Sequence, residues 1–346
     1  MLRSATLHCN ASFKLALSLK CAVALCPSAL SGQHRLPTSP TGRRKPAQLL
    51  AGRTVGNPIG ARRCLATSAS DLPPPRHGSG SSVTLAYEKF DGLHPSQPPL
   101  VIAHGLFGSK RNWRSVAKAL AQRTPVSAVY PVDLRNHGES PHTQSMSYPS
   151  MAEDLSQLFR DLKLSQLVLL GHSMGGKASM HLALEGHPAI TKLIVLDIAP
   201  VALKPNTTFD DYIEAMQQVA AARPRTHSEA ERILAPNVPE SSVRKFLLTN
   251  FRMDDDGLTL TSNLETIGAS MNDIWAFPYA RQSVSFSRPT LFLRGGLSDY
   301  ILPDVYPDIR QLFSQAKIET IEGAGHWVHA EKPAEFIKAV GDFLER

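Results

Sequence analysis

The sequence predicts an α/β fold with a mostly parallel central sheet, helices on both faces and a helical cap over one end. Three observations predict it. Short apolar runs alternate with amphipathic helical patterns over most of residues 83–346, the signature of strands joined by helical crossovers. One strand runs through a tight glycine turn straight into a helix at 167–184. The alternation then stops over 203–288, where only helical patterns are found, and resumes beyond it.

The turn is the most informative stretch. Leu167-Val168-Leu169-Leu170 leads into Gly171-His172-Ser173-Met174-Gly175, and a helical pattern begins at once. G-x-S-x-G between strand and helix is the setting of a nucleophile elbow. The glycines two before and two after the serine let strand and helix pass closely. The turn lifts the Ser173 hydroxyl above the sheet and puts the Met174 N–H at a helix N-terminus, a natural oxyanion donor. Outside that setting the motif is only a glycine-rich turn.

Composition sets the frame. The 346 residues are 42% hydrophobic and carry a formal charge of +7. That charge is not evenly spread. Residues 1–70 hold ten Lys or Arg and no Asp or Glu, which leaves 27 basic against 30 acidic residues in the rest, a net of −3. A mildly acidic body has no electrostatic footprint for nucleic acid. The acid-free, Arg- and Ser-rich start reads as a mitochondrial transit peptide over 1–65, with processing after Arg63-Cys64-Leu65. A secretory signal fits less well, because Lys20 interrupts the apolar run Leu15–Ala24. All four cysteines lie in this leader, so the processed chain is expected to use no disulfide, thiolate zinc site or cysteine nucleophile. No apolar run is long enough for a transmembrane helix.

Residues 66–82, rich in Ser, Pro and Gly, read as a flexible linker. The globular body then spans 83–346. Strands are expected at Val83–Phe90, Pro99–Ala103, Val126–Val132, Leu167–Leu170, Lys192–Leu196, Pro289–Arg294 and Lys317–Ile321, with helices at Arg114–Gln122, Tyr148–Leu162, Val305–Phe313 and Pro333–Leu344. The cap, 203–288, is expected as helices at Phe209–Ala221, Ser228–Leu234, Ser241–Asn250 and Asn263–Trp275, inserted after the sixth core strand. Its acidic turn Asp254-Asp255-Asp256-Gly257 reads as solvated, since no Glu follows at calcium-loop spacing.

In such sheets the chemistry gathers at the C-terminal strand ends, where His104, Asp133, Ser173 and Asp197 all fall. A serine hydroxyl needs a base to take its proton. His326 fits, in the glycine-flanked loop Gly323-Ala324-Gly325-His326-Trp327 after the last strand. His172 is expected to face away from the nucleophile, and His181 and His187 belong to the following helix. Two residues could orient His326: Asp197, after the strand that follows the nucleophile helix, and Asp299, after the next-to-last strand. Both satisfy the order Ser…Asp…His, and spacing does not choose between them. The second oxyanion donor is expected in His104-Gly105-Leu106-Phe107, at the Leu106 N–H.

These residues resemble the α/β-hydrolase superfamily across roughly 83–346. The runs His104–Ser109 with Lys110, Asn112 and Trp113, Asp133 to Ser140, Gly171–Lys177, Asp197-Ile198-Ala199-Pro200 and Gly323–Ala330 are similar to one branch of it. That branch includes mitochondrial alpha/beta-hydrolase domain-containing protein 11, small bacterial esterases and the ethanol acetyltransferases of fungi. The resemblance implies Asp197 as the acid, although this sequence departs from the pattern by carrying Asp299 as well. It also implies a matrix serine hydrolase acting on short acyl esters or thioesters, without metal or cofactor. Two alternatives come with it: an alcohol acetyltransferase joining ethanol to the acetyl group of acetyl-CoA, and a hydrolase-like partner of a matrix dehydrogenase complex.

Overall fold

A computed structural model describes residues 82–203, 208–279 and 284–346. The leader and all but Ser82 of the linker lie outside the described residues. The chain enters at the sheet edge. Val83–Phe90 was expected as a full strand, but it makes an isolated bridge at Tyr87 and a two-residue strand, β1 (Phe90–Asp91), antiparallel to β3. The physical reason is exposure: Tyr87 and Asp91 face solvent, so little burial draws this segment into the sheet.

The core follows in order. β2 (Leu100–Ala103), α1 (Lys110–Arg123), β3 (Ala128–Val132), α2 (Tyr148–Asp161), β4 (Leu167–His172), α3 (Met174–Leu184) and β5 (Ile190–Leu196) precede the cap. The cap contains α4 (Thr208–Ala222), α5 (His227–Leu234), α6 (Ser241–Leu248), β6 (Phe251–Asp254), β7 (Gly257–Leu260), α7 (Leu264–Ala269) and α8 (Met271–Trp275). β8 (Thr290–Gly295), α9 (Tyr306–Leu312), β9 (Ala316–Ile321), α10 (Val328–Glu331) and α11 (Pro333–Leu344) complete it. The sheet order is β1-β3-β2-β4-β5-β8-β9, with every pair beyond β1–β3 parallel.

Strand pleating explains the two layers of core. Successive side chains alternate faces. Leu100 and Ile102 of β2 join Trp113, Leu120, Phe336 and Val340 in one cluster, which places α1 and α11 on that face. Val101 and Ala103 join Met151, Leu155 and Phe159 of α2 in the other. Leu234, Leu247 and Leu258 of the cap belong to this second cluster, so the cap shares the apolar layer under α2 and α3.

Three details of the cap differ from the sequence expectation. It leaves the sheet after β5, the fifth sheet strand in chain order rather than the sixth. Its acidic turn closes a β-hairpin, with Asp254 opposite Gly257 and Gly257 at φ +125°, where an L side chain would be strained. The helical run Asn263–Trp275 is broken at Ser270 into α7 and α8. No helix among the described residues is long and apolar enough to cross a membrane.

Candidate active site

Ser173 stands where β4 meets α3, at φ 52° and ψ −119°. This left-handed conformation is costly for a residue with a side chain and persists only where the surroundings enforce it. The surroundings here are tight. A Cβ on Gly171 would run into the Gly175 carbonyl, and one on Gly175 would run into the carbonyls of His104 and Ala103. Strand β4, helix α3 and the end of β2 therefore meet with no room for side chains, and the serine is held at the crest between them.

His326 follows β9, and its imidazole is about one-fifth exposed. Its Nδ1 lies 2.7 Å from Oδ2 of Asp197, which is fully buried. Asp197 ends β5 at φ 50°, a turn that swings its carboxylate across the end of β8. There Oδ1 accepts from the Gly295 N–H at 2.9 Å, and Oδ2 also accepts from the Ser298 hydroxyl at 2.5 Å. Asp299, one residue further along, is exposed. Of the two candidate acids, Asp197 is the one that meets His326. Ser173 and His326 line one cavity. With Nδ1 turned to the carboxylate, Nε2 is the ring nitrogen available to act as a base.

Leu106 lies in the loop after β2, beside Ser173, and Met174 opens α3. The neighbouring loop amides are engaged elsewhere: Phe107 N–H donates to His137 Nε2 at 3.3 Å, and Gly108 N–H donates to the Gly105 carbonyl at 2.9 Å. The loop is fixed by two buried histidines. His104 Nε2 accepts from the Leu134 N–H at 3.0 Å while its Nδ1 donates to the Gly105 carbonyl. His137 Nδ1 donates to the Arg135 carbonyl at 3.0 Å. Both rings are thereby assigned the neutral Nδ1–H tautomer. Burial pulls their pKa values down, to about 4 for His104 and about 3 for His137.

The run from Asp133 to Ser140 builds the scaffold below. Asp133 accepts from the Lys110 N–H and Nζ, both at 2.6 Å, and from the Glu139 N–H at 2.9 Å. It thus ties the start of α1 to its own loop. Arg135 forms a bidentate pair with Asp154 of α2, at 2.6 and 2.7 Å, with both side chains buried.

Four residues near the site escaped the sequence reading. His172 was expected to face away from the nucleophile. Pleating puts it on the same face as Val168 and Leu170, and from there its Nε2 lies 3.0 Å from the His326 carbonyl, bracing that loop from beneath. Ser298 shares the Asp197 oxygen that His326 uses. Tyr300 stacks on the His326 ring, centroids 4.2 Å apart. Lys177, quoted only as part of a motif, is buried and donates to the carbonyls of Trp275 and Ala276 at 3.0 and 3.1 Å. Ser298 and Tyr300 had a local signal, as the neighbours of Asp299.

The cap completes the cavity. Phe209 and Tyr212 of α4, Val243, Phe246 and Leu247 of α6, and Trp327 line its wall opposite His104–Phe107. Its volume is about 200 Å³. Among the contacts that dock the cap on the body are Asn250 Nδ2 to the Phe107 carbonyl at 2.9 Å and Asn112 Nδ2 of α1 to the Thr249 hydroxyl at 3.1 Å.

Comparison with known proteins agrees with this architecture. The model of the alpha/beta hydrolase fold matches residues 98–333. The chain is 43% identical over 264 residues to "sn-1-specific diacylglycerol lipase ABHD11" of Mus musculus, covering 75% of this chain and 85% of that protein. It is 35% identical over 268 residues to a "Probable alcohol acetyltransferase" of Saccharomyces cerevisiae, covering 72% and 78%. Among solved structures, a "Marine microorganism esterase" superposes with a TM-score of 0.70 at 37% identity, covering 76% of this chain and all of that one.

Proposed function

The chain belongs to the α/β-hydrolase family, and from that premise we propose that it is a mitochondrial serine hydrolase that cleaves short-chain acyl esters or thioesters. The observation that carries the reading is the 2.7 Å contact from His326 Nδ1 to buried Asp197, in the cavity that Ser173 shares. Ser173 Oγ attacks the carbonyl carbon and gives its proton to His326 Nε2. The developing oxyanion takes hydrogen bonds from the Leu106 and Met174 N–H groups. His326 then returns the proton to the leaving oxygen or sulfur, and the acyl group stays on Ser173. Water repeats the sequence and frees the acid. Asp197 holds the tautomer and stabilises the imidazolium.

The relatives named as lipase and esterase support ester hydrolysis. The yeast relative's name supports a second reading, in which an alcohol such as ethanol, not water, accepts an acetyl group from acetyl-CoA. The acyl-enzyme is common to both. Purified 66–346 given acetyl-CoA, with and without ethanol, separates them when free CoA and ethyl acetate are followed together. Acetate alone at every ethanol level supports the hydrolase; ethyl acetate at a substantial share of CoA release supports the transferase. Ser173→Ala is expected to abolish labelling by a fluorophosphonate, and persistent labelling would remove Ser173 as the nucleophile. The basic leader supports delivery to the mitochondrion. Import of the full chain into isolated mitochondria, with shortening near Leu65, is the expected result; retention at full length outside them would overturn that part.

A further inference from the structure

Two cavities meet at Ser173 and share Leu106, Phe209 and Tyr300 in their walls. The cavity of about 200 Å³ has both Ser173 and His326 in its wall. A second cavity, of about 20 Å³, is lined by Ser173, Leu106 and Met174 and closes on Tyr148, Lys177 and Trp275; His326 is not among its described lining residues. Reaction chemistry tells the two apart. A leaving group must take its proton from His326, so it extends to the side where the imidazole is. The acyl substituent, with its carbonyl oxygen on Leu106 and Met174, extends to the other. We propose that the small cavity is the acyl subsite and the large cavity the subsite for the alcohol or thiol. The substrate is then a two- or three-carbon acyl group carried on a bulky, largely apolar alcohol or thiol. This assignment rests on the reading of Ser173 as nucleophile.

Size and construction both support it. A cavity of 20 Å³ holds about one or two heavy atoms, which suits a methyl or ethyl beyond the carbonyl. Its far wall is pinned at several points. Lys177, about one helical turn past Ser173 and 1% exposed, donates from Nζ to the carbonyls of Trp275 and Ala276. The Tyr148 hydroxyl donates to the Ile274 carbonyl at 2.6 Å. These bonds hold the C-terminal end of α8, where carbonyls lack helical partners and a cation is favoured, against α2 and α3. Lys177 is thus a positioning residue that sets where the acyl group must end. The larger cavity is walled by Tyr212 and Phe246 of the cap and by Trp327 of the loop after β9.

The test compares p-nitrophenyl acetate, butyrate and octanoate, and separately the acetates of ethanol and 2-naphthol, on wild type, Trp275→Ala and Phe246→Ala. Fluorophosphonate labelling reports on whether each variant has an intact site. Wild type is expected to lose at least tenfold in kcat/KM from acetate to octanoate, since each excluded methylene is worth a factor of about 10 or more. Trp275→Ala should flatten that series and leave the preference for 2-naphthyl acetate; Phe246→Ala should do the reverse. If Trp275→Ala is not labelled, Leu203→Ala opens the same wall and is read instead. A labelled, active wild type that takes octanoate as well as acetate would overturn the subsite assignment alone. So would a change of chain-length preference in Phe246→Ala and not in the wall variants. A wild type that is neither labelled nor active on any ester would overturn the nucleophile reading and this assignment with it.

Discussion

Nδ1 of His326 lies 2.7 Å from Oδ2 of Asp197, and the carboxylate it meets is fully buried. A buried carboxylate fixed by Gly295 and Ser298 cannot swing away, so it holds the imidazole in one tautomer and one orientation. Asp197→Asn keeps the shape and removes the charge. It should lower kcat by about 10³–10⁴ with little change in thermal midpoint. Asp299→Asn, at an exposed position, should stay within about twofold. Steady-state kinetics on the two variants decides the matter, and a comparable loss in both would mean that the contact carries no catalytic weight.

This choice between acids shows where sequence ceased to be informative. Both aspartates end core strands and both fall between the serine and the histidine. Spacing does not separate them and only the resemblance favours Asp197; what separates them physically is the left-handed turn at Asp197, φ 50°. The parallel sheet and the elbow were legible because their signals are local: apolar runs of strand length, and glycines where backbones touch. The β6–β7 hairpin was not, because Arg252, Met253 and Asp254 are exposed and give no apolar alternation. The pairing of Arg135 with Asp154, or of Lys177 with the end of α8, joins residues far apart in the chain, and nothing in spacing reveals it.

His172 braces the His326 loop from below, with Nε2 3.0 Å from the His326 carbonyl. Replacing it with phenylalanine keeps most of the volume and loses the hydrogen bond. His172→Phe is expected to lower kcat about tenfold, with KM changed less than twofold and the rate of fluorophosphonate labelling falling in parallel. An unchanged labelling rate would show that the loop holds its place without the brace.

The Arg135–Asp154 pair is buried on both sides and bidentate, and Asp154 also accepts from the Val83 N–H at 2.8 Å. Removing one partner leaves the other as an uncompensated buried charge, at a cost of about 3–5 kcal/mol. Arg135→Met should therefore destabilise strongly in urea unfolding, while Arg135→Met combined with Asp154→Leu should recover a large part of the loss. Equal destabilisation in the single and double variants would show that packing, not the stranded charge, sets the cost.

The buried histidines also set how the fold responds to acid. Burial lowers His104 to about 4 and His137 and His329 to about 3, and it depresses His172 well below its ordinary value. Their unfolded values are about 6.5, so between roughly pH 3 and 6.5 the unfolded chain binds more protons than the folded one. Stability from these groups is full above pH 6.5 and is lost as pH falls toward 4. His329 tests this cleanly, because it stacks on Trp113 with ring centroids 3.9 Å apart and planes within 6°, an arrangement phenylalanine can keep. His329→Phe removes one proton from the uptake. Its unfolding free energy should therefore fall less steeply between pH 6 and pH 4.5, by about 1.4 kcal/mol per pH unit, whatever its absolute stability at pH 7.5. Parallel slopes for variant and wild type in urea titrations at several pH values would mean that His329 is already charged in the folded protein.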